Sequence, residues 1–117
     1  MTSTREARMA AVLFTDLVGS TDLLSRLGEA AYDGLRRAHF ASLREAIGHS
    51  GGAEVKTTGD GLLATFSSAA DAVGCAVGMQ QAVDVHSRTA GARLAIRVGV
   101  SVGDIVFGAP PRRFVRE

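Results

Sequence analysis

Short runs that are apolar almost throughout alternate along this chain with longer stretches whose apolar residues recur every three or four positions. The first run, Met9-Ala10-Ala11-Val12-Leu13-Phe14, reads as a buried strand over residues 9–16, after a polar start at residues 1–8 expected to be a disordered tail. Thr21–Leu27 fits a short helix stopped by Gly28. A second helix follows over about Glu29–Ser50, with Tyr32, Leu35, Phe40, Leu43, Ala46 and Ile47 approximating one face and Arg36-Arg37 on a solvated one. Beyond Gly51-Gly52, the segments Ala53–Thr58 and Leu62–Phe66 read as two strands around Gly59-Asp60-Gly61, where Asp-Gly predicts a tight hairpin turn. Ser68-Ala69-Ala70-Asp71 opens a third helix with a capping-box-like start. Its expected buried stripe is Ala69, Ala72, Val73, Ala76, Val77, Gln80 and Val83, with Cys75 and Met79 packing beside it. After Gly91, strict alternation of Leu94, Ile96, Val98, Val100 and Val102 predicts a strand at Arg93–Val102 with one buried face.

This β-α-α-β-β-α-β order predicts a mixed α/β (α+β) fold, a ferredoxin-like plait whose sheet is mostly antiparallel and whose helices cover one face. The first strand would lie centrally, beside the strand that follows the hairpin turn. Asp16 and Asp60, far apart in sequence, would then converge at one edge.

Composition narrows the setting. With 46% apolar and 21% charged residues, a chain of 117 residues suits one soluble domain with a modest core. The apolar runs are too short to span a bilayer, and residues 1–8 lack a signal-peptide pattern. A formal net charge of +1 leaves no nucleic-acid or membrane footprint. Cys75 is the lone cysteine, which fits a reducing compartment, and a cytoplasmic location is expected. Twelve of the thirteen basic residues are arginine, and the exception, Lys56, stands four residues before Asp60. A lysine offers a compact point charge where arginine imposes a planar fork.

Chemistry concentrates at the two aspartates. Each sits where a strand gives way to a glycine-bearing loop, a common place to hold a divalent cation over phosphates. Directly after Asp16, Leu17-Val18-Gly19-Ser20-Thr21 enters a helix whose first N–H groups would suit phosphate. Ser20 and Thr21 fit helix capping as well as phosphate contact, since both use the same N–H groups. His39, His49 and His86 share no metal-ligand spacing and are expected at the surface or at helix ends, and Asp104 is expected in a turn.

The segments Val12-Leu13-Phe14-Thr15-Asp16-Leu17-Val18-Gly19-Ser20-Thr21 and Glu54-Val55-Lys56-Thr57-Thr58-Gly59-Asp60-Gly61 resemble the class III nucleotidyl cyclases, particularly bacterial adenylyl cyclases. Arg97-Val98-Gly99-Val100-Ser101-Val102-Gly103-Asp104 resembles the next block of the same domain, in the same order. The resemblance implies two divalent cations, Mg²⁺ or Mn²⁺, held by Asp16 and Asp60 with the Leu17 carbonyl, and residues 17–21 around the triphosphate. It implies ATP as substrate, with Lys56 reading adenine where guanylyl cyclases carry Glu. It further implies a head-to-tail homodimer, or a heterodimer with another cyclase chain, in which the second chain supplies a base-reading Asp and an Asn and Arg for the transition state.

The last three of those residues come from a segment that the resemblance does not reach. Starting the family's next helix at Gly108 brings Arg116 to the arginine's spacing, but sets Ile105 and Arg112 where the Asp and Asn belong and Pro110-Pro111 at the helix start. The chain is therefore expected to be a C-terminally truncated cyclase domain over 9–108, with a basic tail at 109–117. The alternative is a non-catalytic module that binds nucleotide and metal or pairs with another cyclase chain. Arg112, Arg113 and Arg116 would be the first substitutes to consider if such a chain turned over.

Overall fold

Residues 5–108 are described by the structure, a computed structural model. Within them the elements are β1 (Arg5–Leu17), α1 (Ser20–Leu27), α2 (Glu29–His49), β2 (Ala53–Thr58), β3 (Gly61–Phe66), α3 (Ala69–Ala90) and β4 (Ile96–Gly108). They build one antiparallel sheet in the order β2-β3-β1-β4, the mixed plait expected, with β1 central beside β3. Among the described residues no helix is long and apolar enough to cross a membrane.

Strand alternation sorts the two faces of the sheet. On β1, Ala11, Leu13, Thr15 and Leu17 are buried, whereas Phe14 and Asp16 are exposed on the other face. Leu62, Ala64 and Phe66 continue the buried side on β3, and Phe40, Leu43 and Ile47 of α2 with Met79 and Val83 of α3 close over it. Helices thus cover one face, and among the described residues the face carrying Phe14 and Asp16 stays open.

Several expected boundaries move. β1 begins at Arg5 and its first residues pair with the far end of β4, so the expected tail at 1–8 is strand from residue 5; residues 1–4 and the expected basic tail at 109–117 lie outside the described residues. β4 starts at Ile96 rather than Arg93, because α3 claims the backbone before it. The Leu94 N–H donates to the Ser87 hydroxyl at 2.6 Å, and that hydroxyl donates back to the Leu94 carbonyl at 3.1 Å. At its other end β4 runs past Asp104, which pairs with Met9 in the ladder and is not a turn residue.

The hairpin turn is Gly59-Asp60, since Thr58 already pairs with Gly61. Gly59 takes φ 59° at the first turn position, where a two-residue hairpin of the mirror-image type places glycine, so the Asp-Gly reading was one residue out of register. On α3 the buried line is Ala72, Cys75, Met79 and Val83, while Val73 and Val77 face solvent. That helix is apolar on most sides, so its pattern does not choose the side that packs.

His39 is a further correction, for it lies buried at 1% exposure with neither ring nitrogen hydrogen-bonded. Burial, with His86 adding repulsion and Asp60 offsetting a part, lowers its pKa from 6.5 to about 4. The imidazole is therefore neutral in the fold but charged in the unfolded chain below pH 6.5. Stability should fall as pH drops from 6.5 towards 4, by roughly 3 kcal/mol at most. Urea unfolding at about pH 7.5 and about pH 4.5 checks this, and His39→Leu should flatten the difference.

Candidate functional site

Asp16 stands one residue before the end of β1, on the open face with Phe14. Opposite it, β3 begins immediately after the Gly59-Asp60 turn. The β1–β3 register ends with Thr15 paired to Leu62, and continuing it one step would set Asp16 opposite Gly61, next to Asp60. Gly61 is pressed against β1 so closely that a Cβ would overlap the Thr15 carbonyl oxygen. Asp16 and the Asp60 turn thus lie at the same end of the paired strands β1 and β3, with Asp16 on the open face and the Asp60 side chain against Arg36 of α2.

The Asp60 carboxylate is partly buried and has neighbours that sequence reasoning missed. Arg36 Nε donates to Asp60 Oδ1 at 3.2 Å, and Arg36 Nη2 donates to the Gly59 carbonyl. Its guanidinium also lies 4.7 Å from the centre of the Phe40 ring, so Arg36 is no part of a solvated helix face. The hydroxyls of Tyr32 and Ser20 sit beside the same carboxylate. Tyr32 Oη is buried without closing a well-aligned hydrogen bond. Burial alone would raise the Asp60 pKa, but Ser20, Tyr32 and Arg36 outweigh it and hold the group below its ordinary value. The reciprocal effect, led by burial and then by Asp60, raises the Tyr32 pKa. The signal for these residues was present as Tyr32, Arg36 and Phe40 spaced four apart on α2, an arrangement that aligns them along one side of a helix.

The donor chemistry fits a hard divalent cation. Two carboxylates and the Leu17 backbone carbonyl are oxygen donors, the set that suits Mg²⁺ or Mn²⁺ with positions left for water or phosphate. The Arg36 guanidinium already puts positive charge on Asp60, with the Tyr32 hydroxyl beside the same carboxylate. Among the described residues no cluster of three or more His, Cys, Asp or Glu side chains forms an all-protein cage.

Between β1 and α1, Leu17 is buried, and Val18 N–H donates to the Ala95 carbonyl at 2.8 Å, tying the loop to the approach of β4. Gly19 takes φ 67° at the cap position of α1, and no side chain caps the helix. Ser20 and Thr21 are therefore helical residues rather than side-chain caps, and the helix start presents backbone N–H groups beside Asp60.

Lys56 reaches the open face through a bulge. Glu54 pairs with Ala64, but after a register shift Lys56 pairs with Leu63. Without that extra residue Lys56 would fall opposite Leu62, on the helix-covered side. Leu63 in turn pairs with Phe14, and Phe14 with Gly99, so Lys56, Leu63, Phe14 and Gly99 form one row across the open face. Asp16 lies two residues along that face, paired with Arg97. Lys56 and Asp16 thus share the open face, whereas the Asp60 side chain contacts Arg36 of α2.

A family model described as "Adenylate and Guanylate cyclase catalytic domain" matches residues 3–114. The chain belongs to that family. It is 39% identical over 101 residues to "Putative adenylate cyclase 3" of Rhizobium meliloti (strain 1021), a match covering 85% of this chain and 17% of that protein. The adenylyl cyclase CyaB from P. aeruginosa superposes with a TM-score of 0.80 at 22% identity, over 90% of this chain and 62% of that one. The guanylyl cyclase Cya2 superposes with a TM-score of 0.81 at 25% identity, over 95% of this chain and 63% of that one. The chain thus spans under two thirds of those solved cyclases and about a sixth of the curated relative. Since the solved relatives are of both kinds, the likeness carries the nucleotidyl cyclase family and not the choice of base.

Proposed function

We propose that this chain forms the metal-bearing side of an adenylyl cyclase that converts ATP to 3′,5′-cyclic AMP and pyrophosphate, acting within a dimer. The observation that supports this is the placement of Asp16 and the Asp60 turn at the same end of β1 and β3, beside the start of α1. In this reading Asp16, Asp60 and the Leu17 carbonyl hold two divalent cations, Mg²⁺ or Mn²⁺. When bound, such cations acidify the attacking ribose hydroxyl and neutralise the pyrophosphate that leaves. The N–H groups of residues 17–21 hold the β- and γ-phosphates, and Gly19 lets the loop turn toward them. Lys56 faces away from the helices and reads the base of a nucleotide held by the partner chain. An ammonium donates to adenine N1, whereas a Glu would accept from guanine. The lone cysteine and an ATP substrate suit a cytoplasmic setting.

The ion pair that Arg36 already makes with Asp60 favours a second reading, a non-catalytic module that binds nucleotide and metal or pairs with another cyclase chain. Mass spectrometry of products from ATP and GTP with Mn²⁺ separates the two. The wild-type chain should yield cyclic AMP well above an Asp60→Ala control, and Lys56→Glu should lower the ATP/GTP product ratio by about tenfold or more. A ratio that does not move removes Lys56 as the base reader. Wild-type product no greater than the control overturns turnover by this chain and leaves the binding module.

A further inference from the structure

We propose that Arg36 is a built-in counter-ion of the cation site, holding Asp60 while no cation is bound and leaving it when one binds, so that Arg36 sets the cation affinity. The inference rests on the reading of Asp16 and Asp60 as cation ligands. Its basis is the clamp that α2 places on the hairpin turn. One guanidinium bonds both the Asp60 carboxylate and the Gly59 carbonyl, and Phe40 supports its flat face. The guanidinium supplies the Asp60 carboxylate with a compensating charge from within the chain.

A divalent cation at the same carboxylate changes the balance. Arg36 at 3.2 Å from Asp60 Oδ1 would then face a doubly charged neighbour of its own sign, in a half-buried place where water screens poorly. The chain offers the arginine somewhere else to go. Arg36 also lines an open groove between α1 and α2, together with Glu29 and Asp33. Asp33 lies one turn before Arg36 on the same helix, at a spacing that supports an ion pair, and there Arg36 would share it with Arg37, which pairs with it at 3.2 Å. The guanidinium thus has an inner partner, Asp60, and outer carboxylates within the swing of one long side chain. A purely structural ion pair would leave cation affinity untouched or would strengthen it by orienting Asp60. A displaced counter-ion opposes it.

Mn²⁺ titration of the whole chain, followed by electron paramagnetic resonance, tests this with Arg36→Met and Arg36→Lys. Methionine keeps an apolar stem over Phe40 without the charge, and lysine keeps the charge without the double clamp. Arg36→Met should bind Mn²⁺ about tenfold more tightly than wild type, and Arg36→Lys should stay within about threefold of it. Arg36→Met should also melt a few degrees lower without Mn²⁺ and recover the wild-type melting temperature with it. Unchanged or weaker Mn²⁺ binding by Arg36→Met, beside wild-type binding that needs Asp60, overturns the counter-ion role and leaves the cation site standing. Wild-type binding no stronger than that of Asp60→Ala overturns the cation site itself, and the proposal with it.

Discussion

Asp16→Asn and Asp60→Asn are each expected to lower nucleotide cyclisation by about 10³-fold or more in any assembly that depends on this chain for its metal side. The estimate follows from the charge lost, since removing one transition-state charge partner in phosphoryl transfer costs about that much. Asparagine keeps the shape of the side chain and an acceptor oxygen but gives no anion to a cation. The fold should survive both changes. Asp16 is exposed on the open face, and the Asp60 turn is set by Gly59 at φ 59°. Circular dichroism should therefore superpose on wild type while cyclic AMP measured by mass spectrometry disappears. Retained turnover by either variant would remove that aspartate from the chemistry.

Gly61→Val should have the largest effect on stability. A Cβ at Gly61 would run into the Thr15 carbonyl oxygen, which is backbone inside the central strand and cannot rotate away. Something must separate, and what separates is β1 from β3, with Leu13 and Leu62 buried beneath the joint. The cost should be about 3 kcal/mol or more, in the range of overpacking a rigid core. Gly103→Ala is the control, because a Cβ there meets nothing within 4 Å. Urea unfolding should place the control within about 1 kcal/mol of wild type. Because Gly61 also sets the Asp60 turn against the end of β1 that carries Asp16, any Gly61→Val protein that folds should bind Mn²⁺ more weakly.

Strand order and the central place of β1 were legible because each rests on a period or on topology. Alternation in Leu94–Val102 and the apolar run before Asp16 each have one reading as a strand. What could not be read depends on contacts. α3 has apolar residues on most sides, so only packing on α2 and the sheet chose Cys75 and Met79 over Val73 and Val77. His39 looked like a surface residue because its burial depends on how α2 packs, which no local pattern records. Arg36 carried the ordinary signature of a solvated arginine, and its role appears only when the hairpin folds back against α2. The bulge at Val55 left no composition signal, yet it decides which face Lys56 occupies.

The central claim is that Asp16 and Asp60 jointly hold divalent cations at a nucleoside triphosphate. The most direct measurement is Mn²⁺ binding by electron paramagnetic resonance in the presence of a non-cyclisable ATP analogue, comparing wild type with the Asp16→Asn/Asp60→Asn double variant. The account predicts about two Mn²⁺ retained per occupied wild-type site beyond what the double variant retains. Equal retention by both proteins would contradict it.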